Sequence, residues 1–295
     1  MQTRSWFSSC LLFCLGLVAV LGITGLFMAW WGKGELWTTR DRVGVVEVKG
    51  LIAESRTTLE KLGRLRDDSH IKAVVLRVNS PGGAVAPSQE IMREVEKIKE
   101  QKKVVASQGS LAASGGYYVA CAANLIMASP GTATGSIGAI IKLANLEGLI
   151  KKLGVDVYSL KAGALKDLGS PFRPMSPEEQ AVLQQLLDDI HQQFIRDVAR
   201  NRNLPPDKVR AIADGRIFTG EEAKRFGLVD EFGNLEDAIQ RAGRLGGILG
   251  KVEAAYPETK GFSLLRYLLG QEVEESLSQL ALPYPEPAFL PTWFR

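Results

Sequence analysis

The sequence predicts an α/β fold with a largely parallel sheet and a helical carboxy-terminal half. Three observations carry this expectation. Short β-branched runs read as strands, one of them (Ile71–Val78) apolar enough to be buried on both faces, helical patterns separate them, and capping signals mark helices later in the chain. Of the 295 residues 45% are hydrophobic, which suffices for a sizeable core. Lys and Arg number 36 against 33 Asp and Glu, a net charge of +3 without a basic tract, so nucleic acid is not an expected partner. Three cysteines cannot form a disulfide scaffold.

From Ser5 to Gly32 there is no charged residue, and Leu, Val, Ile, Phe and Ala fill most positions. About 20 helical residues cross a hydrocarbon core, so residues 6–31 are expected to form one transmembrane signal anchor, after a tail over 1–5. Trp6 stands at one end, with Trp30, Trp31 and Trp37 at or past the other, as an interfacial belt requires. A cleaved signal peptide is the alternative, but Phe27-Met28-Ala29-Trp30-Trp31 offers no small-x-small cleavage site. Arg4 on one side and Lys33, Arg40 and Arg42 on the other leave orientation undecided by charge. Cys10 and Cys14 fall within the span, and Cys121 reads as a core residue.

Residues 32–42 form a polar linker. Strands are expected at Val43–Val48, Ile71–Val78, Lys103–Ser107, Leu125–Ala128 and Val155–Leu160, with helices over Ser88–Glu100 and from near Ala113. Ser176-Pro177-Glu178-Glu179 is a capping box with proline at the first helical position, opening a helix that runs towards Asn201. Thr219-Gly220-Glu221-Glu222 opens another, ending at Gly227. In the last section, 257–295, an amphipathic pattern from Phe262 to Leu280 precedes an extended proline-rich tail. That helix can coat a membrane or pack on the core, and packing is the commoner case.

Chemistry is restricted by what is scarce. His70 and His191 are the two histidines, and both read as solvated, so a Ser-His-Asp triad and a histidine-rich metal site have little support. A phosphate-binding loop is absent from the sequence. Two glycine-rich stretches remain. Asn79-Ser80-Pro81-Gly82-Gly83 follows a strand and precedes a helix, where glycine lets a backbone N–H approach a bound atom, although a tight turn uses the same residues. In Gly109-Ser110-Leu111-Ala112-Ala113-Ser114-Gly115-Gly116-Tyr117-Tyr118 a serine sits at a helix start with free N–H groups. A helix cap in a crowded crossing would look alike, and the pattern alone leaves both readings open.

Taken together, these motifs resemble the signal peptide peptidase A family in its short bacterial form. Those enzymes are Ser-Lys proteases on the fold shared with the Clp protease and crotonase families. Thr134-Gly135-Ser136-Ile137-Gly138, Lys161-Ala162-Gly163-Ala164-Leu165-Lys166-Asp167 and Ala213-Asp214-Gly215-Arg216-Ile217-Phe218-Thr219-Gly220 follow the two glycine-rich stretches in the family's order. The resemblance implies a peptidase domain over 43–256, with Ser114 as nucleophile, Lys166 as general base and Ser136 orienting that lysine. It implies an oxyanion hole from the N–H groups of Gly83 and Gly115. Lys161, Lys142, Lys151 and Lys152 lie nearby, and Lys166 is singled out by the family's Lys-Asp motif, not by spacing. Asp167 reads as a hydrogen-bonding or surface group. The residue types suit the chemistry, because a serine hydroxyl needs a base and lysine can be one only when neutral.

The resemblance further implies degradation of remnant signal peptides at the bacterial cytoplasmic membrane. The protein would be single-pass, with the catalytic domain outside the cytoplasm, as an octameric homo-oligomeric ring whose neighbours complete each site. No metal and no organic cofactor are implied. The rivals are a related Ser-Lys protease that cuts a stomatin-type membrane partner, and a crotonase-like acyl-CoA enzyme. The latter would use the same N–H donors on a thioester enolate and would have no need of Ser114.

Overall fold

The structure is a computed structural model that describes residues 20–24, 40–257 and 288–289. The chain divides into two units, Met1–Arg40 and Asp41–Arg295. In the first, residues 20–24 are helical. Among the described residues no helix is long and apolar enough to cross a membrane. Most of the expected anchor over 6–31, the amphipathic pattern at 262–280 and Cys10 and Cys14 lie outside the described residues.

The described residues of the second unit form a mixed sheet of nine strands with helices on both faces. Its centre is β1 (Arg42–Ile52), β2 (Ile71–Ala84) and β3 (Lys103–Ala113), joined in parallel through registers such as Val45↔Val75 and Val75↔Val105. Alternation along each strand divides the core in two. Val46, Val48, Val74, Leu76, Val104 and Ala106 face one layer of helices. That layer comprises α1 (Arg56–Asp67), α2 (Val85–Gln101), α3 (Gly115–Ala120) and the long α5 (Pro177–Arg202). Val43, Val45, Ala73, Val75 and Val105 face α8 (Leu235–Leu245) through Ala238, Ile239 and Ala242. Each fully buried Val, Leu, Ile or Phe contributes about 1.5–3 kcal/mol, so the double-sided centre fixes the strand order.

Strand β3 is shared between two neighbours. Its first half pairs in parallel with β4 (Leu125–Ala128), which in turn pairs β7 (Glu231–Phe232). Its last three residues pair with β5 (Ala133–Gly135), and β5 pairs antiparallel with β6 (Ile217–Thr219). Strand β8 (Ala254–Ala255) closes the β1 edge, and β9 (Ala288–Phe289) pairs antiparallel with the end of β2. Short helices α4 (Glu147–Lys152), α6 (Pro206–Arg210) and α7 (Gly220–Arg225) fill the connections.

Both expected capping boxes form: Ser176 with Glu179 heads α5, and Thr219 with Glu222 heads α7. A third, Asn234 with Asp237, heads α8. The helix expected from near Ala113 starts at Gly115, because β3 continues to Ala113. The strand expected at Val155–Leu160 is not one. Residues 155–160 are irregular, with Tyr158 85% and Leu160 102% exposed. Their β-branched, apolar character reads as a strand, but no described strand supplies an edge to pair with.

Candidate active site

The site is built where β2 and β3 end side by side. Pairing between them stops at Ser80↔Ala112, after which β3 turns abruptly into α3 at Ser114. Ser114 has φ 54° and ψ −118°, a region that non-glycine residues rarely occupy, and it is 1% exposed. Such a conformation costs on the order of 1–3 kcal/mol and persists only where the surroundings enforce it. Here two bonds do so. The Ser114 N–H donates to the Gly135 carbonyl at 2.8 Å, and the Ser114 carbonyl accepts from the Tyr118 N–H at 2.8 Å. A serine on a sharp strand-to-helix turn is the arrangement that presents a nucleophilic hydroxyl at the end of a sheet.

Gly115 brings this turn against the end of β2. A Cβ on Gly115 would stand 2.7 Å from Ser88 Oγ, 3.1 Å from Gly82 Cα and 3.2 Å from the Gly83 amide nitrogen. Gly83 is pressed equally hard on its other side, where a Cβ would lie 2.1 Å from the Ile52 carbonyl oxygen of β1. Glycine at both positions is thus a packing requirement that brings two backbone amides beside one serine. Ser88 is itself held by a bond to the Ala84 carbonyl at 2.9 Å.

Ser136 joins the same neighbourhood through β5. It directly follows Gly135, is 4% exposed, has φ 52° and donates its N–H to the Arg216 carbonyl at 2.8 Å. Ser114, Gly115, Gly83 and Ser136 are therefore brought together. Lys166 has no described bond to any of them. It lies in a turn, its N–H bonded to the Gly163 carbonyl at 3.1 Å, and its side chain is exposed with no described bond to Ser114 or Ser136.

That turn is braced by Arg173, which no sequence motif marks. Arg173 donates to the Asp167 carboxylate at 2.9 Å and to the Asp167 carbonyl at 2.8 Å. It also reaches both Glu179 oxygens, at 2.8 and 2.5 Å. Glu179 simultaneously accepts the Ser176 N–H at 2.9 Å as the capping residue of α5. The bonds from Arg173 hold the Glu179 carboxyl down at about 2 and lower that of Asp167 as well. The turn carrying Lys166 is in this way fastened to the start of α5. Only the capping box was legible beforehand; its second partner, six residues upstream, leaves no periodic signal.

The other reactive groups are set apart. Cys121 is fully buried, and burial pushes its thiol up to about 12, which makes it a core residue and a poor nucleophile. The Tyr118 hydroxyl donates to Asp197, and burial raises its pKa well above the ordinary value. His70 and His191 are half-buried, more enclosed than expected, and neither is among the residues at the Ser114 turn. Among the described residues no group of three or more His, Cys, Asp or Glu side chains could hold a metal ion.

A model of a known family, described as "Peptidase family S49", matches residues 96–248. A putative protease of Synechocystis sp. is 45% identical over 72% of this chain and 76% of its own length. A putative signal peptide peptidase SppA of Enterococcus faecium is 36% identical over 74% of this chain and 69% of its own. Protease 4 of Salmonella typhi is 40% identical over 70% of this chain, which spans only 35% of that longer protein.

Proposed function

The chain belongs to peptidase family S49 and is a serine endopeptidase, and on that premise we propose that Ser114 and Lys166 form its catalytic dyad. Neutral Lys166 takes the proton of the Ser114 hydroxyl as the oxygen bonds to the scissile carbonyl carbon. The N–H groups of Gly83 and Gly115 hold the oxyanion, each such donor commonly contributing about 3 kcal/mol. The lysine returns its proton to the leaving amine, and an acyl-enzyme remains. Lys166 then deprotonates a water that releases the acid and frees Ser114. Ser136 keeps the amine oriented. The observation that carries this reading is the enforced backbone of Ser114 beside the Gly83 amide.

The exposed position of Lys166 fits a site completed by a neighbouring copy of the chain. Residues 143–175 carry Leu149, Leu153, Val157, Tyr158 and Leu160 exposed, an apolar surface of the kind that marks an interface. A neighbour covering it would exclude water from the surroundings of Lys166. We place the enzyme at a membrane through its amino-terminal apolar run, acting on remnant signal peptides. Those are apolar, extended chains, which a cleft without charged side chains would accept without stranding a charge.

A peptidyl trapping reagent tests the assignment. It should label Ser114, found by mass spectrometry, and Ser114→Ala and Lys166→Ala should each abolish hydrolysis of an apolar peptide with circular dichroism unchanged. Turnover close to wild type in either variant would refute the dyad.

A further inference from the structure

An oxyanion donor works best when its direction is fixed before the substrate arrives, since reorienting it during the reaction forfeits much of its effect. The local sequence at Gly83 works against this. Gly82 and Gly83 are consecutive glycines, the residues with the freest backbone, and Gly82 takes φ 101°, a region that side-chain-bearing residues rarely adopt. Packing restrains the position of this segment. The Ile52 backbone stands against Gly83, and the Ser80 carbonyl oxygen lies 2.6 Å from where a Cβ on Gly116 would be. The rotation of a peptide group is a matter for directional bonds instead.

Two buried serine hydroxyls supply them. Ser80 Oγ accepts the Gly82 N–H at 3.0 Å, on the amino-terminal side of Gly83. Ser88 Oγ donates to the Ala84 carbonyl at 2.9 Å, on its carboxy-terminal side. Both residues are 0% exposed. Each bond alone is ordinary, because serine often closes a turn two residues on, and a helical serine often bonds the carbonyl four residues back. Their joint placement is what matters. The two bonds bracket the Gly82–Gly83 and Gly83–Ala84 peptide groups, and Ser88 Oγ also borders Gly115, the second oxyanion residue.

We propose that Ser80 and Ser88 are positioning residues of the oxyanion hole, which touch no substrate and together fix the direction of the Gly83 N–H. This rests on Ser114 as nucleophile and Gly83 as oxyanion donor. Losing a donor outright costs about 10²–10³ in kcat, so a donor that is kept but turns more freely should cost about tenfold. KM should hardly move, because the ground-state carbonyl gains less from the donor than the oxyanion does.

The test compares Ser80→Ala, Ser88→Ala and Ser107→Ala in the full chain. Ser107 is the control, a β3 serine that is also 0% exposed and whose hydroxyl accepts a bond from Arg77 at 2.9 Å. Ser88→Ala keeps α2 intact, since the Ala84 carbonyl at the helix start still has a backbone N–H partner. Active sites are counted by labelling Ser114 to completion with a fluorophosphonate. For each chain kcat and KM are measured on a fluorogenic apolar peptide, with the inhibition constant of a peptide aldehyde, whose tetrahedral adduct with Ser114 places its oxygen in the same hole. Ser80→Ala and Ser88→Ala should each lower kcat per labelled site about tenfold, weaken the aldehyde by about the same factor and leave KM within about twofold. Ser107→Ala should change none of the three. Loss of folded protein lowers the number of labelled sites and leaves the constants per site unchanged, so it does not imitate this result. Wild-type kcat and aldehyde affinity in Ser88→Ala, or in folded Ser80→Ala, would overturn the proposal, as would an equal fall in Ser107→Ala. Failure to label Ser114 in the unaltered chain would instead overturn the catalytic reading on which it rests.

Discussion

Replacing Gly83 by alanine asks the end of β2 to house a methyl group where β1 already stands. The added Cβ would lie 2.1, 2.6 and 2.7 Å from the oxygen, carbon and nitrogen of Ile52, all backbone atoms. Ordinary contact needs about 3.5 Å, so one strand must move by about 1 Å or more. Gly83 is not among the residues with positive φ, so the penalty is steric and not conformational. Overpacking of this kind costs about 1–3 kcal/mol, or a few degrees in Tm at about 2–4 °C per kcal/mol for a domain of this size. The larger effect falls on turnover, because the moving strand carries the Gly83 N–H away from the oxyanion, and losing one such donor costs about 10²–10³ in kcat. Gly63→Ala in α1 is the control: the nearest atom to its Cβ is Arg66 Nη2 at 4.0 Å, and removing a helical glycine should stabilise by about 0.5–1 kcal/mol with unchanged kcat. Thermal melts and fluorogenic peptide hydrolysis on both variants decide it. A Gly83→Ala enzyme with wild-type Tm and kcat within about threefold would refute both the close approach and the role of the amide.

Two further outcomes follow from the same geometry. If Lys166 is the base, kcat/KM should rise from mildly acid to alkaline pH and Lys166→Arg should be inactive at every pH, because arginine stays charged; a flat profile in folded enzyme would exclude it. Arg173 holds Glu179 at about 2 against an ordinary 4.5, so their pairing stabilises the fold fully above about pH 4.5 and is lost as pH falls towards 2. Glu179→Gln should therefore flatten the acid limb of Tm against pH over that window, and an unchanged slope would show that the pairing contributes nothing.

The parallel centre of the sheet was legible because Val43–Val48 is rich in β-branched residues and Ile71–Val78 is apolar enough to be buried on both faces, and β1 and β2 contain them. Caps were legible where the third helical residue was Glu, as after Ser176 and Thr219. The box at Asn234 escaped because Asp237 plays that part. Residues 155–160 show the opposite failure, since a strand depends on a partner edge that local sequence does not reveal. At the site, Ser114, Gly115 and Gly83 were readable as motifs, whereas the closeness of their backbones depends on where β2–β3 pairing ends. The Arg173 brace and the placement of β9 at Gly83 are long-range outcomes of the fold, with no periodic signature.

The nucleophile turn is also a matter of timing. Ser114 is held by the Gly135 carbonyl, and β5, which supplies it, is completed by Ile217–Thr219 of β6, about a hundred residues further along the chain. At about 5–20 residues per second, a growing chain exposes Ser114 for roughly 5–20 s before β6 has been synthesised. During that interval Gly135 and Tyr118 are already made, but β5 lacks the antiparallel neighbour that completes it, so the bond from the Gly135 carbonyl is held less firmly than in the finished fold. The conformation of Ser114 thus matures only after a stretch of chain about a hundred residues downstream has joined the sheet.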